Sequence, residues 1–300
     1  VKTRKSLLIK SGLVILAAGL IVIALPGGCK TSEMGSLVEA SMLLSGKNPE
    51  EAKRAGQAAS SMAGALAPIS VENEISLGGG VAVQAFSQIG KRHADEDLQR
   101  YVNLVGKTVA ANGTRPDLPY AFAVLDSPIP NAFAGPGGYI FVTTGALKAM
   151  KDESELAGVL AHEVGHITQK HMLQTYQRTA LIGALSQGAA VFDKDVGKYT
   201  ELVDVATQTL FDKGLDKKFE YEADSVGVEI AALTGYDPSG LGRFLRKLET
   251  MTNTKGGWFK THPPLSDRIN KINIKLATQL NGVKGVTQRE RFQKMIARLK

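Results

Sequence analysis

Cysteine is almost absent from this sequence: Cys29 is the only one in 300 residues, which excludes a disulfide within the chain. Aromatic residues are sparse at 6%, while Gly and Ala are plentiful, a balance that favours a helix-rich fold with close helix contacts. Long apolar runs are missing after residue 29, so the body of the chain is expected to be soluble. Stretches that interleave basic and aromatic residues are missing too, and nucleic acid is not an expected partner. The formal charge of +7 does not reverse this, because Lys2, Arg4, Lys5 and Lys10 precede the first apolar segment and without those four the chain carries +3. No internal repeat is present, and the length suits one sizeable domain plus an accessory segment.

What the N-terminus does contain is informative. The basic stretch Lys2 to Lys10 leads into Ser11 to Leu25, an uncharged run of Leu, Ile, Val and Ala that reads as a signal or anchor segment over residues 1–28. Gly27-Gly28 then meets Cys29, an arrangement that resembles the lipidation site of a bacterial lipoprotein, although Pro26 departs from that pattern. The alternatives are an uncleaved anchor or a signal cut elsewhere. All of them place the domain outside the cytoplasm, on the periplasmic side of a bacterial envelope, with the membrane as a partner through the anchor or a lipid on Cys29.

Residues 29–70 form an Ala/Ser/Gly-rich spacer, in which Asn48-Pro49-Glu50-Glu51 predicts the start of a helix running to about Leu66. Apolar spacing predicts another helix from Asp97 to Ala111. Tyr120 to Leu125 and Tyr139 to Thr143 are β-prone and read as a strand pair, with Pro128 and Pro130 breaking the chain and Gly137-Gly138 turning it. Asp152 with Glu155 is a capping-box pattern, expected to open one long helix to about Tyr176. Further helices are expected over 180–191, 196–211, 217–233, 238–251 and 265–280. The fold class is therefore α+β, many helices with a small sheet.

His162-Glu163-Val164-Gly165-His166 lies on that long helix. Residues four apart project from one face one turn apart, so two imidazoles can share one metal ion. Glu163 is placed to take a proton from water beside such an ion. With five His and sixteen Glu in the chain, about 0.004 such matches arise by chance. Gly165 suggests that another backbone or a substrate passes close. His171, nine residues after His162, falls half a turn out of phase on a continuous helix and is expected to face away as a surface or packing residue.

Two histidines do not complete a catalytic zinc site, which takes a third protein group. Cys29 is excluded by position, and residue 172 is Met where a third histidine would fall. The strongest candidate is Glu220 in Phe219-Glu220-Tyr221-Glu222-Ala223-Asp224, on a predicted helix. Asp224 shares its face and could accept the outer N–H of a ligating histidine. Glu222 lies about 200° around from Glu220, so both cannot face one ion. A solvated acidic helix face is the plainer alternative.

Together these two segments resemble metallopeptidase family forty-eight, which includes the HtpX-like, Oma-like and CAAX-prenyl-processing zinc endopeptidases. The similarity runs from about Glu74 to about Ala277, within an expected peptidase domain over 71–281. It implies a gluzincin fold, one zinc ion per chain held by His162, His166 and Glu220, and Glu163 as general base. Asn131-Ala132-Phe133-Ala134 and Pro136 to Val142 resemble the family's edge-strand segment, which borders the cleft and pairs with an extended substrate, so Asn131, Ala132 and Phe133 are candidate substrate-binding residues. His262-Pro263-Pro264 and Asp267-Arg268-Ile269 also match. By resemblance His262 stabilises the oxyanion or fills the open metal position at rest, and Arg268 contacts the site or forms a structural ion pair. With one N-terminal apolar segment only, the chain is similar to the soluble, exported branch. That implies protein substrates in the cell envelope and a role in quality control; a non-proteolytic, chaperone-like protein with the same site is the alternative. Residues 282–300 read as a basic C-terminal helix, of which Gln288 to Lys300 falls outside the resemblance; its apolar stripe, Phe292, Met295, Ile296 and Leu299, is expected to dock onto the domain, with membrane binding the alternative.

Overall fold

The computed structural model describes residues 31–187, 196–251, 262 and 265–299, and the chain divides into two compact units. The signal-like segment, Cys29, Pro263, Pro264 and the last part of the helix expected over 180–191 lie outside the described residues. Among the described residues, no helix is long and apolar enough to cross a membrane.

The smaller unit takes in the chain up to Pro68 and Gln177–Lys198. Its helices α1 (Thr31–Leu44) and α2 (Pro49–Leu66) are joined by a short turn. The Asn48 side chain accepts from Glu50 N at 2.8 Å, Pro49 opens α2, and Glu50 and Glu51 sit in its positive first turn. The two helices touch backbone to backbone: a Cβ on Gly56 would lie 2.7 Å from the Gly35 carbonyl oxygen.

The larger unit, Ile69–Tyr176 with Tyr199–Lys300, is α+β. In chain order it contains α3 (Val71–Gln88), α4 (Glu96–Ala110), β1 (Ala121–Leu125), β2 (Ala132–Gly135), β3 (Tyr139–Thr143), α5 (Thr144–Ala149) and α6 (Glu153–Thr168). Helix α7 (His171–Gln187) begins in this unit and α8 (Val196–Gln208) ends in it, followed by α9 (Lys217–Leu233), α10 (Gly240–Thr250), α11 (Leu265–Thr278) and α12 (Arg289–Ile296).

The sheet has the order β1-β3-β2. Strand β1 runs parallel to β3, with Ala121 opposite Tyr139, and β2 runs antiparallel, with Ala132 opposite Val142. This corrects one expectation. Of the two segments only Ala132–Gly135 lies at an edge; Tyr139–Thr143 is central, because it is paired on both sides. The outer edge of β1 is covered by side chains of α4 and by the backbone around Arg92, which bridges to Leu125. Gln99 donates to the Val124 carbonyl and accepts from Val124 N, both at 2.9 Å, and Asn103 accepts from Phe122 N at 3.2 Å. Along β2, Asn131 turns its carbonyl toward β3, where it accepts from Thr143 N. Strand alternation therefore turns the carbonyls of Ala132 and Ala134 outward.

Helix α6 is buried along its whole length. Asp152 caps it by accepting from Glu155 N at 3.2 Å, and Glu155 accepts in return from Lys151 N at 2.9 Å. Its first residue, Glu153, is buried and accepts from Tyr101 and Tyr236, both at 2.6 Å, and from Arg291 of α12. Phe292 is buried in the same core, with Met295, Ile296 and Leu299 packed against it. The long helix expected through Tyr176 does not form. It ends at Thr168, and Lys170 takes a left-handed conformation at φ 57° before α7 starts at His171.

Helix α9 crosses α6 at van der Waals distance. A Cβ on Gly227 would meet the His162 backbone nitrogen at 2.8 Å, and one on Gly165 would meet the Ala223 carbonyl oxygen at 3.0 Å. Gly227→Ala is accordingly expected to destabilise the protein by about 1–3 kcal/mol, the usual range for overpacking against backbone. Urea unfolding measures it, and an unchanged midpoint would show that the crossing relaxes freely.

Candidate metal centre

The crossing of α6 and α9 brings the sequence-predicted residues together. His162 and His166 project from one face of α6 with their Nε2 atoms 3.0 Å apart. From α9, Glu220 places Oε1 3.5 Å from His166 Nε2 and Oε2 3.8 Å from His162 Nε2. Donors held ~2.0–2.1 Å from one tetrahedral ion lie roughly 3.3 Å from each other, so these spacings fit a single metal ion. Glu220 Oε1 is buried and accepts no hydrogen bond, although a buried carboxylate oxygen normally finds a donor. A cation between the three groups would supply what is missing. Two imidazoles and a carboxylate form a mixed nitrogen–oxygen set suited to zinc and its neighbours in the first transition row.

His262 joins this group: its nitrogen and those of His162, His166 and the Glu220 carboxylate lie within 4.8 Å of one another. His262 Nδ1 is 2.9 Å from Glu220 Oε2, and Nε2 is 3.2 Å from the outward-facing Ala132 carbonyl of β2. Burial disfavours a charged imidazole here, but Glu220 outweighs it and raises the His262 pKa.

Glu163 lies beside these donors with both carboxylate oxygens buried and without a hydrogen-bond partner. His262 Nε2 is 3.9 Å from its Oε1. Burial pushes the Glu163 carboxyl up to about 7, partly opposed by His262. The two histidines of α6 move the other way: burial lowers the pKa of both and favours the neutral imidazoles that ligate metals.

Outside this group, Asp224 Oδ1 is 2.9 Å from His162 Nδ1. Arg268, fully buried on α11, donates to both oxygens of Asp224 at 2.7 Å and lies 2.9 Å from Glu220 Oε2. Burial alone would raise both carboxyls, but Arg268, with His262 beside Glu220, holds them well below the usual carboxylate range. Of the two roles open to Arg268, a buried ion pair within the site combines both.

His171 departs from expectation. It does not face away: it is fully buried, and its Nδ1 is 2.9 Å from His166 Nδ1. One unbroken helix would hold it half a turn out of phase, and the left-handed turn at Lys170 resets that phase. Glu222 does point away from the metal-site donors, as its helix position requires, and its Oε2 lies 3.1 Å from His171 Nε2.

The three candidate substrate residues differ in what they present. Ala132 offers an outward backbone edge, now taken up by His262. Asn131 uses its backbone within the sheet, while its side-chain Oδ1 is buried without a hydrogen-bond partner. The Phe133 ring is buried between Phe141 (centroids 5.1 Å apart) and Phe211 (4.9 Å). It lines a small cavity shared with Glu163, His166, His262, Leu210 and Leu215.

Helix-borne histidines, a carboxylate from a crossing helix and a buried acid beside them define the class of zincin-type metallopeptidase domains. The chain belongs to peptidase family M48, which matches residues 96–275. It is 27% identical over 223 residues to the beta-barrel assembly-enhancing protease of Yersinia pestis, covering 69% of this chain and 45% of that protein. It is 28% identical over 205 residues to the mitochondrial metalloendopeptidase OMA1 of Schizosaccharomyces pombe, covering 64% and 59%. The zebrafish (Danio rerio) mitochondrial metalloendopeptidase OMA1 is 31% identical over 170 residues, covering 52% and 35%. The chain thus spans about half the length of these curated relatives.

Proposed function

We propose that this protein is a zinc-dependent endopeptidase that hydrolyses peptide bonds of protein substrates in the bacterial cell envelope. The observation that carries the reading is the convergence of His162 Nε2, His166 Nε2 and the unpartnered Glu220 Oε1 beside a buried Glu163 that makes no hydrogen bond. His162, His166 and Glu220 would hold one zinc ion per chain. Bound there, zinc supplies a Lewis acid that acidifies water and polarises a carbonyl. Glu163 takes a proton from the attacking water and delivers it to the leaving amine as the C–N bond breaks, and a carboxyl near neutrality suits both transfers. Asp224 accepts the Nδ1–H of His162, fixing the tautomer that leaves Nε2 free. An extended substrate adds as a strand to the outer edge of β2, at the Ala132 and Ala134 backbone, with Phe133 flooring the cleft and the Asn131 amide as a further hydrogen-bonding group.

Export rests on the N-terminal segment alone, with attachment through that segment or a lipid on Cys29. The matched relatives include proteins named for enhancing beta-barrel assembly, which supports an envelope quality-control role. A second reading has its own observation. His262 occupies the Ala132 carbonyl that a substrate would use, so this arrangement suits a latched resting state, or a chaperone-like protein that keeps the site without proteolysis. On substrate binding His262 would be freed to stabilise the oxyanion.

Metal analysis of the purified chain tests the primary reading. One zinc per chain is expected in the wild type, and Glu220→Ala is expected to lose it on dialysis. Equal zinc in both would remove Glu220 from the site.

A further inference from the structure

His166 and His162 resemble each other as ligand candidates, yet their outer nitrogens meet different surroundings. His162 Nδ1 meets Asp224, a buried carboxylate held by Arg268. His166 Nδ1 meets another imidazole, that of His171, at 2.9 Å. The other nitrogen of His171 lies 3.1 Å from Glu222 Oε2, and Glu222 is 42% exposed. Both nitrogens of a fully buried histidine are therefore used, one toward the site and one toward the surface. Phe219 stacks on the His171 ring with centroids 4.4 Å apart and planes at 17°, which fixes its orientation.

Proton bookkeeping leaves one arrangement. If His166 offers Nε2 to a metal ion, that atom carries no hydrogen, so Nδ1 does. Its partner, His171 Nδ1, must then be bare and accept. His171 consequently carries its hydrogen on Nε2 and donates it to the Glu222 carboxylate, which has acceptor sites only.

We propose that His171 and Glu222 form a positioning relay for His166, in which the surface carboxylate sets the tautomer of His171 and His171 sets that of His166. Such outer partners orient a ligating ring and raise its basicity. The relay rests on the metal-bearing role of His166 proposed above. It gives the two histidines of α6 unequal support, one from a buried ion pair and one from a chain that ends in solvent.

Zinc affinity of the full chain, measured by competition with a chromophoric chelator, tests the proposal. His171→Leu is expected to weaken zinc binding about 10–100-fold. His171→Asn, whose Oδ1 can replace the accepting Nδ1, is expected to restore most of that loss. Glu222→Ala is expected to weaken binding in the wild-type background and to have no effect in the His171→Leu background, because the two act in series. Long-range ¹H–¹⁵N correlations on the zinc-loaded wild type should show His171 protonated at Nε2 and His166 at Nδ1.

The relay is overturned if His171→Leu, shown to be folded by circular dichroism, binds zinc as the wild type does. It is also overturned if the effects of His171→Leu and Glu222→Ala simply add, or if His171 carries its proton on Nδ1. Should His171→Leu not fold, Glu222→Ala and the tautomer assignment still decide. Absence of zinc binding by the wild type would instead sink the proposed metal centre and the relay with it.

Discussion

Glu163→Gln is expected to slow hydrolysis of an unfolded protein substrate by ~10²–10⁴-fold while zinc content and the circular dichroism spectrum stay unchanged. The substitution keeps size and shape and removes only the capacity to take up a proton. Nothing structural depends on the charge, since neither carboxylate oxygen makes a hydrogen bond. Loss of zinc together with activity would mean that Glu163 helps hold the ion. Full activity would remove it as the base, whereas a wild type that binds zinc but hydrolyses nothing would favour the chaperone-like reading. Discontinuous gel assays with a casein-type substrate suffice to measure the rates.

Arg268→Leu is expected to have the largest effect on stability. The guanidinium is fully buried and stands between two buried carboxylates, donating twice to Asp224 and lying 2.9 Å from Glu220. Removing one side of such a pair leaves uncompensated charge in the interior, which costs roughly 3–5 kcal/mol. Arg268→Lys should recover little, because one ammonium cannot reproduce the two parallel hydrogen bonds to Asp224. Urea unfolding of the zinc-free protein measures both variants. A loss below ~1 kcal/mol for Arg268→Leu would show that Asp224 and Glu220 rearrange or take up protons instead.

The sequence and the structure agree best where local chemistry decides. The start of α2 follows from Asn48-Pro49-Glu50-Glu51, and α9 has the predicted bounds, Lys217–Leu233. The shared face of His162 and His166, and that of Glu220 and Asp224, follow from helix periodicity alone. What was hidden depended on tertiary contacts. Helix α3 contains Gly78, Gly79 and Gly80, which weaken helix propensity and mask it. Gly78 is required there because the Pro136 backbone leaves no space for a Cβ. Ser70, which accepts from Asn73 N, together with Glu72 and Glu74 in the first turn, was the available sign of a helix start.

Two site residues, His171 and Arg268, owe their positions to tertiary structure. Periodicity gives His171 a direction only if the helix is continuous, and no residue near Lys170 announces a break; a left-handed lysine is uncommon. Arg268 lies on a separate helix, and nothing in its local sequence indicates that it meets Asp224 and Glu220. Ion-pair partners this far apart in sequence are set by how helices pack, which periodicity does not encode.

The sealed outer edge of β1 has a consequence for self-association. Indefinite edge-to-edge stacking of chains requires two unpaired edges per sheet, so that each added copy offers a new one. Here Gln99 and Asn103 close one side of the sheet. A second copy that joins β2 to β2 leaves only β1 edges facing outward, so pairing of this kind stops at two chains.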